Sequence, residues 1–294
     1  MSALNNKIDF ALVFTVCNAN PNGDPLDGNR PRTTMEGLGE VSDVCLKRKL
    51  RNRLQDEGYP IFVQSDERRN DASRSLKDRA DSNERLAECI KQMKKKDGTV
   101  TRDDYARIAC ESWYDVRAFG QVFAFGKKND DNGSISIGVR GPVSIQSAFS
   151  IEPVNLTSTQ ITKSVNLETQ PDPDRKGPDT MGTKHRVDHG VYVTYGAINV
   201  QAANKTGFSE QDAEALKEAL RTLFRNDATA ARPDGSMEVV KVIWWKHNCP
   251  NGQYSSAKVH RTLNVCAEKK QNRIVAQVSV EPLEGLSFEE IDGE

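Results

Sequence analysis

The segment KIDFALVFTVCNA, residues 7–19, constrains the fold more than any other part of the chain. It begins with apolar and polar residues in alternation and continues rich in β-branched and aromatic side chains, which predicts a central strand over residues 7–17. The 294 residues can bury a substantial core around it, as one large domain with insertions or as two modest ones. Nothing in the sequence approaches the run of about 18 apolar residues that spans a bilayer, and MSALNNKIDF lacks the basic and apolar regions of a secretory leader. The expected location is the cytoplasm, with no membrane partner.

The strand ends in NANPNGDPLDGNRPR, Asn18–Arg32, whose composition fits a connector, an anion-gripping loop or a carboxylate site. Asp24 and Asp27 sit in Gly23-Asp24-Pro25 and Asp27-Gly28, contexts in which aspartate bonds its own backbone, and they are read as turn formers. Beyond Gly37 and Gly39, Ser42 caps a helix that stops at Gly58 and buries Leu46, Leu50 and Leu54. Lys47, Arg48, Lys49, Arg51 and Arg53 occupy its other sides. From Arg30 to Arg53 there are seven bases against three acids, although the whole chain has a formal charge of −1. The C-terminal EPLEGLSFEEIDGE, residues 281–294, masks this excess with six acids and no base, and is expected as a solvated tail. A basic stripe on a nearly neutral chain suits a phosphate partner and plain solvent equally well.

Residues 65–115 are highly charged and helical in pattern. NERLAECIKQMKKK offers the apolar line Leu86, Ile90 and Met93, Asp97-Gly98 turns the chain, and Thr101 caps a second helix with Asp104 as a capping-box partner. DVRAFGQVFAFG reads as strand, with Arg117, Phe119, Gln121, Phe123 and Phe125 on one face. SISIGVRGPVSIQSAFSI reads as a hairpin punctuated by Gly138, Gly141 and Pro142. The stretch ITKSVNLETQPDPDRKGPDTMGTKHRVDHG is too long for an ordinary connector and carries Lys163, Arg175, Lys176, Lys184 and Arg186, before a strand resumes at Val191. Ser209 caps a helix with Ala213, Leu216, Leu220, Leu223 and Phe224 on one face, and MEVVKVIWWKH and NRIVAQVSVEP are later strands. The order predicts an α+β chain with an RRM-like (ferredoxin-like) fold, interrupted by a helical insertion and a long basic loop.

Enzyme and metal signatures fail. Gly120 to Lys127 has the wrong spacing for a phosphate loop, with Lys128 where Ser or Thr belongs, and there is no GxSxG, HExxH or GxGxxG. Six scattered cysteines with no CxxC read as reduced, mostly buried thiols, and neither His185/His189 nor His247, Cys249 and His260 makes a four-ligand zinc set. No catalytic residue, metal or cofactor is expected. RNA binding fits better, because an RRM-like sheet, a basic helix after the first strand and a long basic loop can carry a single strand across a surface. The RNP1 octamer is absent, and Tyr192 and Tyr195 fall on opposite faces of their strand.

Six segments then carry a family resemblance by occurring in order: NPNGDP with GNRPR, DVCLKRKLRNR, DVRAFGQVFAFG, GVRGPVSIQSAFSI, MGTKHRVDHGVY and KHNCPNGQYSSAKVH. Over about residues 8–265 the chain resembles the RAMP-superfamily backbone subunit of type I CRISPR Cascade complexes, most closely the subtype I-C (Csd-type) branch. The resemblance implies an RRM-like palm, helical fingers near 65–115 and a projecting thumb near 160–188. It implies guide RNA, target DNA paired to the guide, further copies of the chain in an open helical filament and other Cascade subunits as partners. Lys47, Arg48 and Arg51 match the family's RNA-backbone positions, and Asn20, Arg30 and Arg32 border the same groove. Arg117, Arg140, Lys163, Lys184, His185 and Arg186 join them as candidate RNA contacts, with Met181 as the apolar thumb wedge that unstacks a base step. The alternatives are a RAMP-type endoribonuclease using Asp24 or His185, and a general single-strand RNA-binding module.

Overall fold

The computed structural model describes residues 2–93, 100–125, 135–162, 164–165, 169, 174, 181–270 and 273–294. Strand β1 (Ile8–Ala19) is followed by a miniature pair, β2 (Gly23–Asp24) and β3 (Arg30–Pro31), then by β4 (Leu38–Val41) and helix α1 (Asp43–Asp56). Helices α2 (Leu76–Asp81), α3 (Glu84–Met93), α4 (Arg102–Ser112) and α5 (Tyr114–Phe119) lead into the hairpin β5 (Gly120–Phe125) and β6 (Ile135–Arg140). Next come β7 (Val143–Ile145), β8 (Ala148–Pro153), β9 (Leu156–Thr162) and β10 (Met181–Ile198). Then follow α6 (Val200–Thr206), α7 (Glu210–Arg221), β11 (Met237–Lys246), α8 (Ser256–His260), β12 (Leu263–Lys270), β13 (Arg273–Val280) and β14 (Ser287–Asp292).

The central sheet runs β14-β11-β1-β10-β8-β4, with neighbouring strands antiparallel and β7 and β9 also paired to β10. One face of β1, formed by Ile8, Phe10, Leu12, Phe14 and Val16, packs on Leu46, Leu50 and Leu54 of α1 and Leu216 and Leu220 of α7. Its other face, Ala11 and Val13, packs beneath Val259 of α8 and Leu263 and Ala276 of the β12–β13 hairpin. Cover on both faces explains why this strand reads as an almost unbroken apolar run. A separate cluster of Phe62, Leu86, Tyr105, Trp113, Phe123 and Ile137 holds α2, α3, α4 and the β5–β6 hairpin together. The capping boxes at Thr101/Asp104 and Ser209/Asp212 both form, fixing the starts of α4 and α7. Among the described residues, no helix is long and apolar enough to cross a membrane.

Several local expectations change. DVRAF is helical, not strand: Gly120, at φ 80°, ends α5, and apolar spacing over so short a run does not separate the two forms. Arg117 and Phe119 therefore do not share a strand face with Gln121 and Phe123. SISIGVR and PVSIQ do not pair with each other; β6 returns to β5, whereas β7 and β8 join the main sheet because Val143, Ile145 and Ala148 belong to its core. The long strand starts at Met181 rather than Val191, since β9 pairs with residues 181–187, and Val200 opens a helix capped by Asn199. The acidic tail is no solvated end: β14 pairs along β11 from Lys241↔Asp292 to Lys246↔Ser287. Lys241 and Lys217 neutralise part of it. Of the six cysteines only Cys89 and Cys110 are buried, because Cys17 and Cys266 occupy outward positions on their strands. Asp97 and Gly98 lie outside the described residues.

KHNCPNGQYSSAKVH folds over one buried carboxylate. Asp9 is fully buried and receives His247 Nε2 at 2.8 Å and Lys7 Nζ at 3.0 Å, with His260 Nε2 at 3.5 Å. The backbone N–H of Gln253 donates to His247 Nδ1 at 2.9 Å, so the ring proton of His247 sits on Nε2 and points at Asp9. Burial alone would raise the Asp9 pKa, but hydrogen bonds from His247, His260, Ser256 and Lys7 outweigh it and hold the carboxyl far below its ordinary value. The histidines considered as metal ligands thus fasten α8 and its loop to β1.

Candidate nucleic-acid interface

The turn-rich stretch after β1 is a compact, self-bonded hairpin. Gly23 pairs with Pro31 and Asp24 with Arg30, while Asp24 Oδ1 accepts from Leu26 N at 3.0 Å and from Arg32 at 3.3 Å. Asp24 is a turn former and the counter-ion of Arg32. Asn20 is buried, its amide donating to Asn29 O at 2.7 Å. Asn22 Oδ1 accepts from both the backbone and the hydroxyl of Ser42, at 2.9 Å each, which locks the hairpin to the first turn of α1. Arg30 stays exposed, and Leu26 is 97% exposed at the tip.

The five bases of α1 divide by what lies opposite them. Lys49 and Arg53 are buried on the α7 side, Lys49 against Asp227 and Arg53 on Thr222 Oγ1 at 2.7 Å. Arg51 turns the other way and binds Asp115 at 2.9 Å. That buried carboxylate also accepts from the amides of Phe62 and Val63 at 2.7 and 3.1 Å. Lys47 makes an i,i+4 pair with Asp43 at 3.0 Å. Arg48 donates to Val63 O at 2.6 Å; burial, then the Arg51 charge beside it, pulls its guanidinium below the ordinary value, with Asp115 opposing.

Arg48 and Lys49 border an open groove of about 860 Å³, closed on its far side by Arg68, Asn226 and Arg232. Val44, 70% exposed, presents an apolar face there. Asn52 Oδ1 and Ser65 Oγ, which also line it, are buried atoms without a hydrogen-bond partner. Arg68 and Arg232 were not singled out from sequence, because the segments that form the far wall, 65–68 and 226–232, carry no signal of their own.

The second part is a two-stranded ribbon, in which β9 pairs with β10 from Val187↔Leu156 to Met181↔Thr162. Lys184 is exposed, His185 Nδ1 meets Ser158 Oγ at 2.8 Å, and Arg186 lies 3.5 Å from Asp188. Met181 and Ile161 are 63% and 50% exposed. Because Ala19 pairs with Val187, the ribbon leaves the sheet at the same end as the Asn20–Arg32 hairpin. Lys163 lies outside the described residues. Two candidates sit elsewhere. Arg117 is tied to the buried Asp212 at 2.7 Å, and Arg140 lies beside Lys205 at the opposite end of β10. Among the described residues, no group of three or more His, Cys, Asp or Glu is arranged to hold a metal ion.

Comparison with known proteins agrees with the six segments. One curated relative, "CRISPR-associated protein Cas7" of Haloferax volcanii, is 26% identical over 235 residues, 76% of this chain; the match spans 66% of the relative's own length, just under two thirds. A solved structure described as "CRISPR RNA-guided surveillance complex, pre-nicking" aligns with a TM-score of 0.47 at 16% identity, over 82% of this chain and 78% of the other. A second, "CRISPR RNA-guided surveillance complex", aligns with a TM-score of 0.43 at 17% identity, over 81% and 68%. The family description "CRISPR-associated protein Cas7" matches residues 6–282, nearly the whole sequence, and the chain belongs to that family.

Proposed function

We propose that this chain is a guide-RNA-binding backbone subunit of a CRISPR surveillance complex of type I, subtype I-C, acting in the cytoplasm. The observation that carries the reading is the meeting, at one end of the central sheet, of a groove flanked by a basic helix and a projecting ribbon. A single-stranded phosphate backbone along Arg30, Lys47 and Arg48 would be fixed in register without its sequence being read. The unpartnered Ser65 hydroxyl can donate to a phosphate or sugar oxygen, and Asn52 Oδ1 can accept from a ribose hydroxyl.

In this reading β1, α1, β8, β10, α7 and β11 form the RRM-like palm, supported by the strand order β11-β1-β10-β8. Residues 65–115 are the fingers and 160–188 the thumb, with Met181 as the wedge between bases and Lys184, His185 and Arg186 beside it. Copies stack through a contact that does not close and grow an open helical filament along the guide. The bases between wedges pair with target DNA, and other Cascade subunits bind the ends. The subunit holds RNA and does not cut it; magnesium-dependent RNA cleavage that disappears in Asp24→Ala would overturn this last point.

The test is assembly. Wild-type protein should form oligomers whose size follows the length of added RNA. Lys47→Ala/Arg48→Ala should weaken RNA binding about tenfold and reduce the slope of log affinity against log salt by roughly 0.7 per lost phosphate contact. Unchanged affinity and slope would refute the groove as the RNA site.

A further inference from the structure

A second cation-lined hollow lies where β6 turns into β7 and meets α6. It has a volume of about 410 Å³, and its charged walls are Arg140 and Lys205. Among the described residues, no acidic residue lines it. Both cations are exposed, and among the described residues neither makes an ion pair. Asn199 also lines it, its Oδ1 accepting from Ala202 N at 2.8 Å, which leaves the carboxamide nitrogen as a further donor. Gly141 keeps the rim tight, because a Cβ there would collide with the backbone of Ala118 and Gly120. The hollow therefore offers donors and positive charge without a counter-charge, which is the complement of a phosphate. Among the described residues, its lining holds no aromatic ring on which a free nucleotide could stack its base.

This hollow cannot belong to the groove at α1. The pairings Ile198↔Val143 and Ala197↔Ser144 put it at one end of β10, whereas Ala19↔Val187 puts the groove and the ribbon root at the other. The eleven steps along the strand from Val187 to Ile198 span roughly 36 Å. We infer that the Arg140–Lys205 hollow is a nucleic-acid site in its own right, holding a backbone phosphate of single-stranded RNA. The inference stands on this hollow alone and does not require the groove to hold guide RNA.

Acetylation of Lys205 by a water-soluble succinimidyl ester, followed by mass spectrometry on the full-length protein, tests it. Single-stranded RNA should slow modification of Lys205 severalfold, inorganic pyrophosphate at equal total charge should not, and Arg140→Ala should remove the protection. Arg48→Ala, which weakens the groove, should leave Lys205 protection in place at RNA concentrations that still saturate the hollow, so failure of the groove reading and failure of this one look different. Equal protection by pyrophosphate would make the hollow a small-anion site and overturn the inference. Protection that persists in Arg140→Ala would mean that Lys205 is covered by something other than a phosphate bound there, and overturns it too. So does the absence of protection with RNA.

Discussion

Arginine and lysine on one helix do different work here because of what each meets. Arg51 and Arg48 are both half-buried on α1, yet Arg51 is spent on Asp115, 64 residues along the chain, while Arg48 borders the groove. Sequence spacing identified the buried leucine line and the surplus of bases; it could not identify a base whose acid partner is so remote. The distinction changes how the site should be mutated. Replacing Arg51 would leave Asp115 buried and unpaired, so lost RNA binding in an Arg51 variant would report folding. Asp115→Ala should cost about 3–5 kcal/mol in denaturant unfolding, because it orphans Arg51 and two backbone amides at once. Asp9 provides a second test at this scale. Its carboxyl is held below the ordinary 3.8, so the stability it contributes is fully present above about pH 4 and is lost as pH falls below that value. Asp9→Asn should lower stability at neutral pH and flatten the acid limb of the stability curve. An unchanged acid limb would show that the Asp9 hub does not link folding to protons.

At the level of elements, segments with local signals were legible and segments defined by remote partners were not. β1, α1, α4, α7 and β11 announce themselves through alternation, capping residues and apolar stripes, and all five form as expected. DVRAF, the separation of β6 from β7 and the entry of β14 into the main sheet were not legible, because each depends on a surface far away in sequence. β14 is the instructive failure, since its acids suggest solvent while its pairing with β11 makes it the sheet edge. Deleting residues 281–294 should lower the thermal midpoint by roughly 5–10 °C and promote self-association visible by light scattering, because β11 would become a bare edge. A truncated protein that melts and scatters like wild type would contradict this. β4 gives a tighter case. Gly39 passes so close to the buried Tyr192 hydroxyl that a Cβ would collide with it. Gly39→Ala should therefore destabilise by about 1–3 kcal/mol although alanine is otherwise well tolerated on a strand.

For the whole molecule, the central strand, the basic helix and the later capped helix were legible from sequence, and the candidate contacts were dispersed by folding. Arg30 lies on the hairpin at the ribbon's end of the sheet and Arg48 borders the groove, whereas Arg140 goes to the other end and Arg117 is absorbed into an ion pair with Asp212. The chain thus carries two cationic regions on an almost neutral body, and RNA binding should be strongly salt-dependent despite the formal charge of −1. β10 also sets how the ribbon can vary. It is one strand of 18 residues, held by β1, β7 and β8 through the body and by β9 beyond it. A single residue inserted between Val187 and Ile198 would turn every later side chain to the wrong face of three pairings at once. Residues added to the ribbon must come one on each strand, and only every second addition restores which way a given side chain points. The ribbon is a ruler with a graduation of about 6.6 Å, and relatives whose ribbons differ in length while keeping the same side-chain faces should differ by that step.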